Sequence, residues 1–361
     1  MVSPVTLLGP DIDHRLSLQA MLQGAASVNW TPDSNSFFKD RPASLPARLL
    51  RRVERLFGTR NHDYLTPLLR QLDEHRTDTV IAFWGTEPLS DLLAIRRLRP
   101  KVKLVLMVLC YPVALNRAGV ARQNWMMRRA TKVLDGILFP NEAMRRYFVE
   151  QGLCSADLPA LLLPPCWPAA FQSPGPRAPA LDRPNLIFTG RTDLSANTIH
   201  AADDLRPLMN EILGADIELH HVYSKETDDG HPLRRTFKPQ EQSDLIARMA
   251  AHDASLIAYN TAACERDDRF WLTVPDRLIT SVAAGVPVAV PRKGYTGLKQ
   301  YLVNYPAMLE FDHGQDLHEQ LADRARMAQL HEQAWQSRQH YTAEQQAPLL
   351  QRFLEGLNAR R

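Results

Sequence analysis

Few residues in this 361-residue chain are spaced so that their chemistry is legible at sight. Thr273 and Asp276 form a T-x-x-D pair with Pro275 between them, a variant of the box that starts a helix. A helix begun this way offers free N–H groups and a partial positive charge to an anion such as a diphosphate. Asp11, Asp13 and His14 crowd the loop after the apolar run Val5–Leu8, and Glu87 stands in the loop Trp84-Gly85-Thr86-Glu87-Pro88. Carboxyl and imidazole groups can move protons, although in loops they also serve as turn and cap residues. The four cysteines (Cys110, Cys154, Cys166, Cys264) form no C-x-x-C pair, and the twelve histidines show no H-E-x-x-H spacing. A zinc site or a disulfide framework is not expected, and a reducing cytoplasm fits.

The elements that must hold these residues read as alternating strands and helices. Apolar runs at 5–8, 79–83, 103–109 and 136–139 predict strands, and helices are predicted from Leu89, over 117–132 and after Asn141, a cap residue. Residues 164–184 hold seven of the 26 prolines and read as a linker between domains. Beyond it, strands are expected at 185–189, 217–223, 254–259 and 287–290, with a short extended piece at 235–237. Helices are expected at 198–213, 240–251 and 275–284, the last ending at Gly285. The tail, 315–361, is helical by pattern, broken at Pro348, and long enough to pack back on the first domain. Strands buried on both faces and alternating with helices indicate parallel α/β sheets. The expected domains are 1–163 and 185–314, flanking the linker and followed by the tail. In such sheets ligands bind beyond the carboxyl ends of the strands. That rule selects loops 9–15, 84–88, 190–197, 223–226 and 260–274, and a cleft between two facing domains is the expected site.

Composition narrows the class further. The chain is 45% hydrophobic and 23% charged, which is globular, and its net charge of +3 gives no vote for nucleic acid. The sum hides a split. Residues 1–165 carry 22 Lys+Arg and 15 Asp+Glu, a net of +7; residues 166–361 carry 21 and 25, a net of −4. No signal peptide is legible at the N-terminus, and the longest apolar run, Leu104 to Leu115, is 12 residues against the roughly 20 that a membrane span needs.

The stretch Pro275-Asp276-Arg277-Leu278-Ile279-Thr280-Ser281-Val282-Ala283-Ala284-Gly285-Val286-Pro287-Val288-Ala289-Val290 resembles the P-x-K-L-x-E-x-x-A-x-G-x-P-V-V segment of GT-B glycosyltransferases, especially the retaining family 4 type. Leu186–Arg191 resembles the strand that opens the family's second domain, 250–259 its helix-Ala-Asp-strand step, and Ile137–Glu142 the end of its first domain. The resemblance implies two Rossmann-like domains facing a cleft, with a nucleotide-diphosphate sugar held by the second domain and an acceptor by the first. It implies that Arg191 neutralises the donor diphosphate, and that backbone N–H groups of Leu272, Thr273 and Val274 hold the distal phosphate. Phe237 and Lys238 would line the nucleobase, and Tyr223 and Lys225 would face the same cleft. The departures are specific. No lysine follows Arg191 in 192–197. The EX7E pair is incomplete, with Thr280 where the second Glu holds the ribose and Leu272 near the place of the first. Leu109-Cys110-Tyr111 stands where a histidine is expected. Lys225 or Arg277 could supply the missing positive charge.

An inverting transfer needs a base for the acceptor hydroxyl; His14 or Asp13 is the first choice and Glu87 the next. Asp11-Ile12-Asp13 also spells a D-x-D, but it comes too early for the metal role that motif has in GT-A enzymes, and neither metal nor cofactor is expected. Two stretches, 46–57 and 117–132, read as basic amphipathic helices suited to an anionic membrane surface. The expectation is therefore a metal-independent hexosyltransferase acting on a glycan or lipid-linked acceptor in cell-surface polysaccharide or glycoconjugate synthesis. It would be cytoplasmic and able to sit on the inner face of the membrane. Competing readings are a GT-B scaffold that binds without turnover, a nucleotide-sugar epimerase or phosphorylase, and a two-domain solute-binding protein.

Overall fold

The computed structural model describes residues 3–25, 27–39, 44, 62–172, 183–190, 201–222, 230–238 and 240–359. The chain divides into two compact units, Met1–Pro165 with Ala343–Arg361, and Cys166–Thr342. The basic stretch 46–57 lies outside the described residues, as do Arg191, Tyr223 and Lys225.

The first unit is built on a six-stranded parallel sheet: β1 (Val5–Leu8), β2 (Val28–Thr31), β3 (Thr79–Trp84), β4 (Lys103–Val108), β5 (Gly136–Phe139) and β6 (Ala160–Leu162), in the order β2-β1-β3-β4-β5-β6. β3 and β4 pair along their whole length, Thr79 with Lys103 through Trp84 with Val108. Their side chains are almost all buried because helices cover both faces, which is why these strands are continuous apolar runs. Helices Asp13–Met21, Ser34–Lys39, His62–Glu74, Leu89–Leu98, Arg117–Thr131 and Glu142–Glu150 follow or connect the strands. Asn141 caps the last of these, its side chain accepting from the Met144 N–H at 2.8 Å.

The second unit repeats the plan with β7 (Asn185–Thr189), β8 (Glu218–Val222), β9 (Arg234–Phe237), β10 (Ala254–Leu256), β11 (Val288–Pro291) and β12 (Met308–Phe311). Their order, β12-β11-β10-β7-β8-β9, is all parallel and is the doubly wound order of dinucleotide-binding folds. Its helices are Arg206–Gly214, Gln242–Met249, Asp268–Leu272, Asp276–Ala284, Thr296–Tyr301, Gly314–Ala322 and Arg324–Ser337. The helix Asp276–Ala284 ends on Gly285, which takes the left-handed conformation (φ 66°) that glycine adopts without strain.

Three expectations change. The proline-dense segment is not free chain from its start. Cys166 and Trp167 belong to the buried core of the second unit, and the Trp167 indole N–H donates to Thr280 Oγ1 at 3.0 Å. The helix anticipated over 198–213 starts at Arg206, after a short 3-10 turn at Ala201–Asp203. The tail is not broken at Pro348. That residue is the sixth of helix Ala343–Asn358, so the acceptor left without its N–H is in the first turn, while Leu350, Leu354 and Leu357 bury the helix against the first unit. Only this last helix returns to the first unit; Gly314–Ala322 and Arg324–Ser337 stay with the second.

Candidate functional site

In a parallel sheet, the crevice opens where neighbouring strands send their connections to opposite sides. In the second unit that point lies between β7 and β10, adjacent in the sheet but far apart in sequence. Arg277, in the first turn of helix Asp276–Ala284, extends to it. Its guanidinium carbon lies 5.0 Å from the ring centre of Phe188 on β7 and 4.2 Å from that of Tyr259 just after β10. Two aromatic faces hold a cation in place without neutralising it. No carboxylate of the described residues pairs with Arg277. Gly190, at the end of β7, leaves room for this arrangement: a Cβ there would come within 2.5 Å of Phe188 and 3.1 Å of Arg277 Nη1.

Tyr259 is held in turn by Tyr295. Its hydroxyl accepts the Tyr259 backbone N–H at 2.8 Å, and burial pushes the phenol up to about 12. Tyr259 also packs against Phe270 at 4.5 Å. Neither Phe188 nor Tyr259 was legible as part of a site, because their meeting depends on β7 and β10 being neighbours.

The helix start differs from the expected box. Its N-cap is Pro275, whose side chain accepts nothing, and Thr273 lies two residues ahead of it in extended conformation. The Thr273 N–H donates to the Arg269 carbonyl at 2.9 Å, and Leu272 closes the short helix Asp268–Leu272. The N–H of Thr273 is thus spent inside the fold, and the donors facing forward are those at the start of helix Asp276–Ala284. Val274 is buried. Thr280 is buried too. Its hydroxyl donates to the Asp276 carbonyl at 3.0 Å and accepts from Trp167 and from Gln242 at 2.9 Å. Those bonds use the hydroxyl inside the fold, which leaves no hydroxyl atom there for a ribose. Phe237 ends β9 with the Arg248 guanidinium 4.3 Å from its ring centre, and exposed Lys238 follows it.

In the first unit the corresponding point lies between β1 and β3. His14, in the first turn of helix Asp13–Met21, is 2% exposed and stands 5.9 Å from the ring of Trp84. Asp13 is one residue before it, its carbonyl accepting from Ser17. Trp84 ends β3 with φ 97°, a conformation that costs a non-glycine residue on the order of 1–3 kcal/mol and persists where the surroundings impose it. Glu87 follows in the same loop. Its Oε2 is buried with no hydrogen-bond partner among the described residues. A Cβ on Gly85 would lie 3.2 Å from that oxygen and 2.8 Å from Val113, so the loop closes on the carboxylate only with glycine there. His14, Trp84 and Glu87 therefore stand at the carboxyl ends of two neighbouring strands, β1 and β3.

No protein-family model matches this sequence, and no curated protein matches it. Solved structures do. Sucrose-phosphate synthase from Thermosynechococcus elongatus is 11% identical over 99% of this chain and 100% of its own, with a TM-score of 0.68. Anabaena HepE in complex with UDP-glucose is 12% identical over 99% and 100%, with a TM-score of 0.62. The E. coli trehalose-6-phosphate structure bound with UDP-2-fluoro glucose is 12% identical over 97% and 98%, with a TM-score of 0.66. At this identity the likeness is one of fold, and this chain has the same GT-B fold.

Proposed function

We propose that this chain is a glycosyltransferase that takes a sugar from a nucleotide-diphosphate donor and passes it to a glycan or lipid-linked acceptor in surface-polysaccharide or glycoconjugate synthesis. One observation carries the reading. Arg277 is a cation held by two aromatic rings at the switch point of the second sheet, beside a helix start, with no carboxylate partner among the described residues. In the transfer the anomeric C–O bond to the diphosphate breaks and a bond to the acceptor oxygen forms. Negative charge grows on the leaving diphosphate, and a guanidinium together with helix N–H groups stabilises it where it grows. This needs no resident metal.

The acceptor proton goes to a base of the first unit. Glu87, with one buried oxygen free of partners among the described residues, fits that role, with His14 and Asp13 at the start of helix Asp13–Met21, beyond the neighbouring strand β1. Arg191, Lys225 and Tyr223 would complete the donor side, with Phe237 and Lys238 at the nucleobase. Neighbours solved with UDP-glucose and UDP-2-fluoro glucose support a nucleotide sugar as the ligand class. The commitment of Thr280 inside the fold favours a second reading, a scaffold that binds the donor without turning it over.

Thermal shift across UDP-, GDP-, ADP-, dTDP- and CMP-linked sugars tests the proposal, followed by release of nucleotide with and without acceptor. One compound should raise the melting temperature, and Arg277→Ala should weaken its binding by about tenfold or more, the scale of a charge-assisted phosphate contact. A shift without turnover would favour the scaffold. No shift with any compound would remove both readings. We also place an anionic membrane surface on helix Arg117–Thr131.

A further inference from the structure

A second cluster of titratable groups lies behind Phe237. Glu218 and His220 on β8 face the same side of the sheet as Arg235 and Phe237 on β9, since His220 pairs with Arg235 and Val222 with Phe237. His252, just past helix Gln242–Met249, reaches the same group. His252 Nε2 lies 2.6 Å from His220 Nδ1, His252 Nδ1 lies 2.9 Å from the Arg248 carbonyl oxygen, and His220 Nε2 lies 2.8 Å from Glu218 Oε1.

The partners count the protons. A carbonyl oxygen only accepts, so His252 Nδ1 carries a proton. Burial alone would raise the Glu218 carboxyl, but hydrogen bonds from His220 and Arg235 outweigh it and hold the group below its ordinary value. Glu218 is therefore an accepting carboxylate, and His220 Nε2 carries a proton too. The two remaining nitrogens face each other at bonding distance, and a bond there needs one proton between them. Three protons on two imidazoles amount to one imidazolium.

That charge sits against the wall of the site. The His220 ring centre is 5.4 Å from that of Phe237, whose other cationic neighbour is Arg248. The charged groups facing the pair are Glu218 from β8, Arg235 from β9 and Arg248 from the helix. Asp253, beside His252, has Oδ2 taken up by Asn185 and Arg324. We propose that His220 and His252 are positioning residues that share one imidazolium charge to hold Phe237, so that losing the shared proton loosens a nucleotide sugar bound there. This rests on the donor reading above. When the proton leaves to solvent, two lone pairs oppose each other at the distance of the former bond. The rings must part, and Phe237 loses a cationic neighbour.

Two measurements on the full chain test this. In long-range nitrogen–proton NMR of histidine-labelled protein, the pair should show three protonated ring nitrogens at pH 6 and two at pH 9, with both rings changing together. UDP-glucose, or whichever panel compound binds more tightly, should bind roughly fivefold more weakly at pH 9 than at pH 6. That dependence should vanish in His252→Gln, with His220→Gln as the second variant. Two ring protons at pH 6, independent titration of the rings, or a pH profile unchanged by both variants would overturn the inference. A panel in which nothing binds, with the proton count intact, would overturn the donor reading and leave the proton-sharing pair established.

Discussion

Asp91 occupies the first turn of helix Leu89–Leu98, a few residues beyond the loop that carries Glu87, and is fully enclosed. Its Oδ2 accepts the Ser34 N–H at 2.8 Å and lies 3.2 Å from the Tyr64 hydroxyl. Burial raises its pKa to about 7; hydrogen bonds from Ser34 and Tyr64 pull the other way, and nearby Asp33 adds to the rise. The sign follows from proton binding. Between 3.8, the value of the open chain, and about 7 the folded state holds a proton that the unfolded state has released. Stability from this group is complete below the lower value, falls through the window, and is gone above the upper one. The gap corresponds to a ceiling on the order of 4 kcal/mol. Asp91→Asn keeps an acceptor for Ser34 and never ionises. It should melt several degrees higher than wild type at pH 8, with the difference closing toward pH 4. A difference independent of pH would show that the carboxyl does not titrate there.

Elements differ in how far their residues announce them, and helix Arg117–Thr131 shows what a face can say. It buries Val120, Gln123, Met127 and Ala130 and exposes Arg122, Trp125, Arg128 and Lys132. No acidic residue occurs in 117–132, and Trp125 is 44% exposed with the Arg129 guanidinium 4.7 Å from its ring centre. Arginines and an interfacial tryptophan on one stripe suit anionic headgroups. The chain should sediment with vesicles containing phosphatidylglycerol and not with pure phosphatidylcholine. The double variant Arg122→Glu with Lys132→Glu should abolish the binding while the donor still shifts the melting temperature. Equal binding to both vesicles would remove the membrane from this face. The same burial logic explains which strands were legible. Beyond their first residues, Thr79 and Lys103, β3 and β4 are apolar because both faces are covered, whereas β6 is an edge strand with two of its three residues exposed, and β2 is an edge strand mostly half-exposed. β2, Val-Asn-Trp-Thr, carries no apolar run, and β6, Ala-Leu-Leu, is apolar but only three residues long, too short to read as a strand. Arg277 could be named from its segment, but its partners Phe188 and Tyr259 could not. What joins them is strand order, which no local pattern encodes.

At the scale of the whole molecule, two chain crossings decide which residues fold together. Pro165 is followed by Cys166 of the second unit, and Thr342 by Ala343 of the first; Trp167 and Thr342 pair in parallel, so the chain enters and leaves the second unit at neighbouring positions. The proline density near 164–184 pointed to the first crossing. The second fell inside a helical tail whose pattern does not change there, so the return helix was legible and its starting point was not. Ala343–Asn358 belongs to the core of the first unit. Leu350, Leu354 and Leu357 are buried with β1, β3 and β4 residues, and Gln351 donates to the carbonyls of Met21 and Gln23, both at 3.0 Å. Gly136 at the start of β5 has no room for a Cβ, which would stand 2.7 Å from Phe353. Leu354→Ala should therefore cost about 2–5 kcal/mol, the range for a buried leucine. The loss should be confined to one unit: in hydrogen exchange, peptides covering β1, β3 and β4 should lose protection while those covering β7 and β10 keep theirs. Equal loss in both would mean that the last helix stabilises the two units as one cooperative body, although its buried side chains pack within the first.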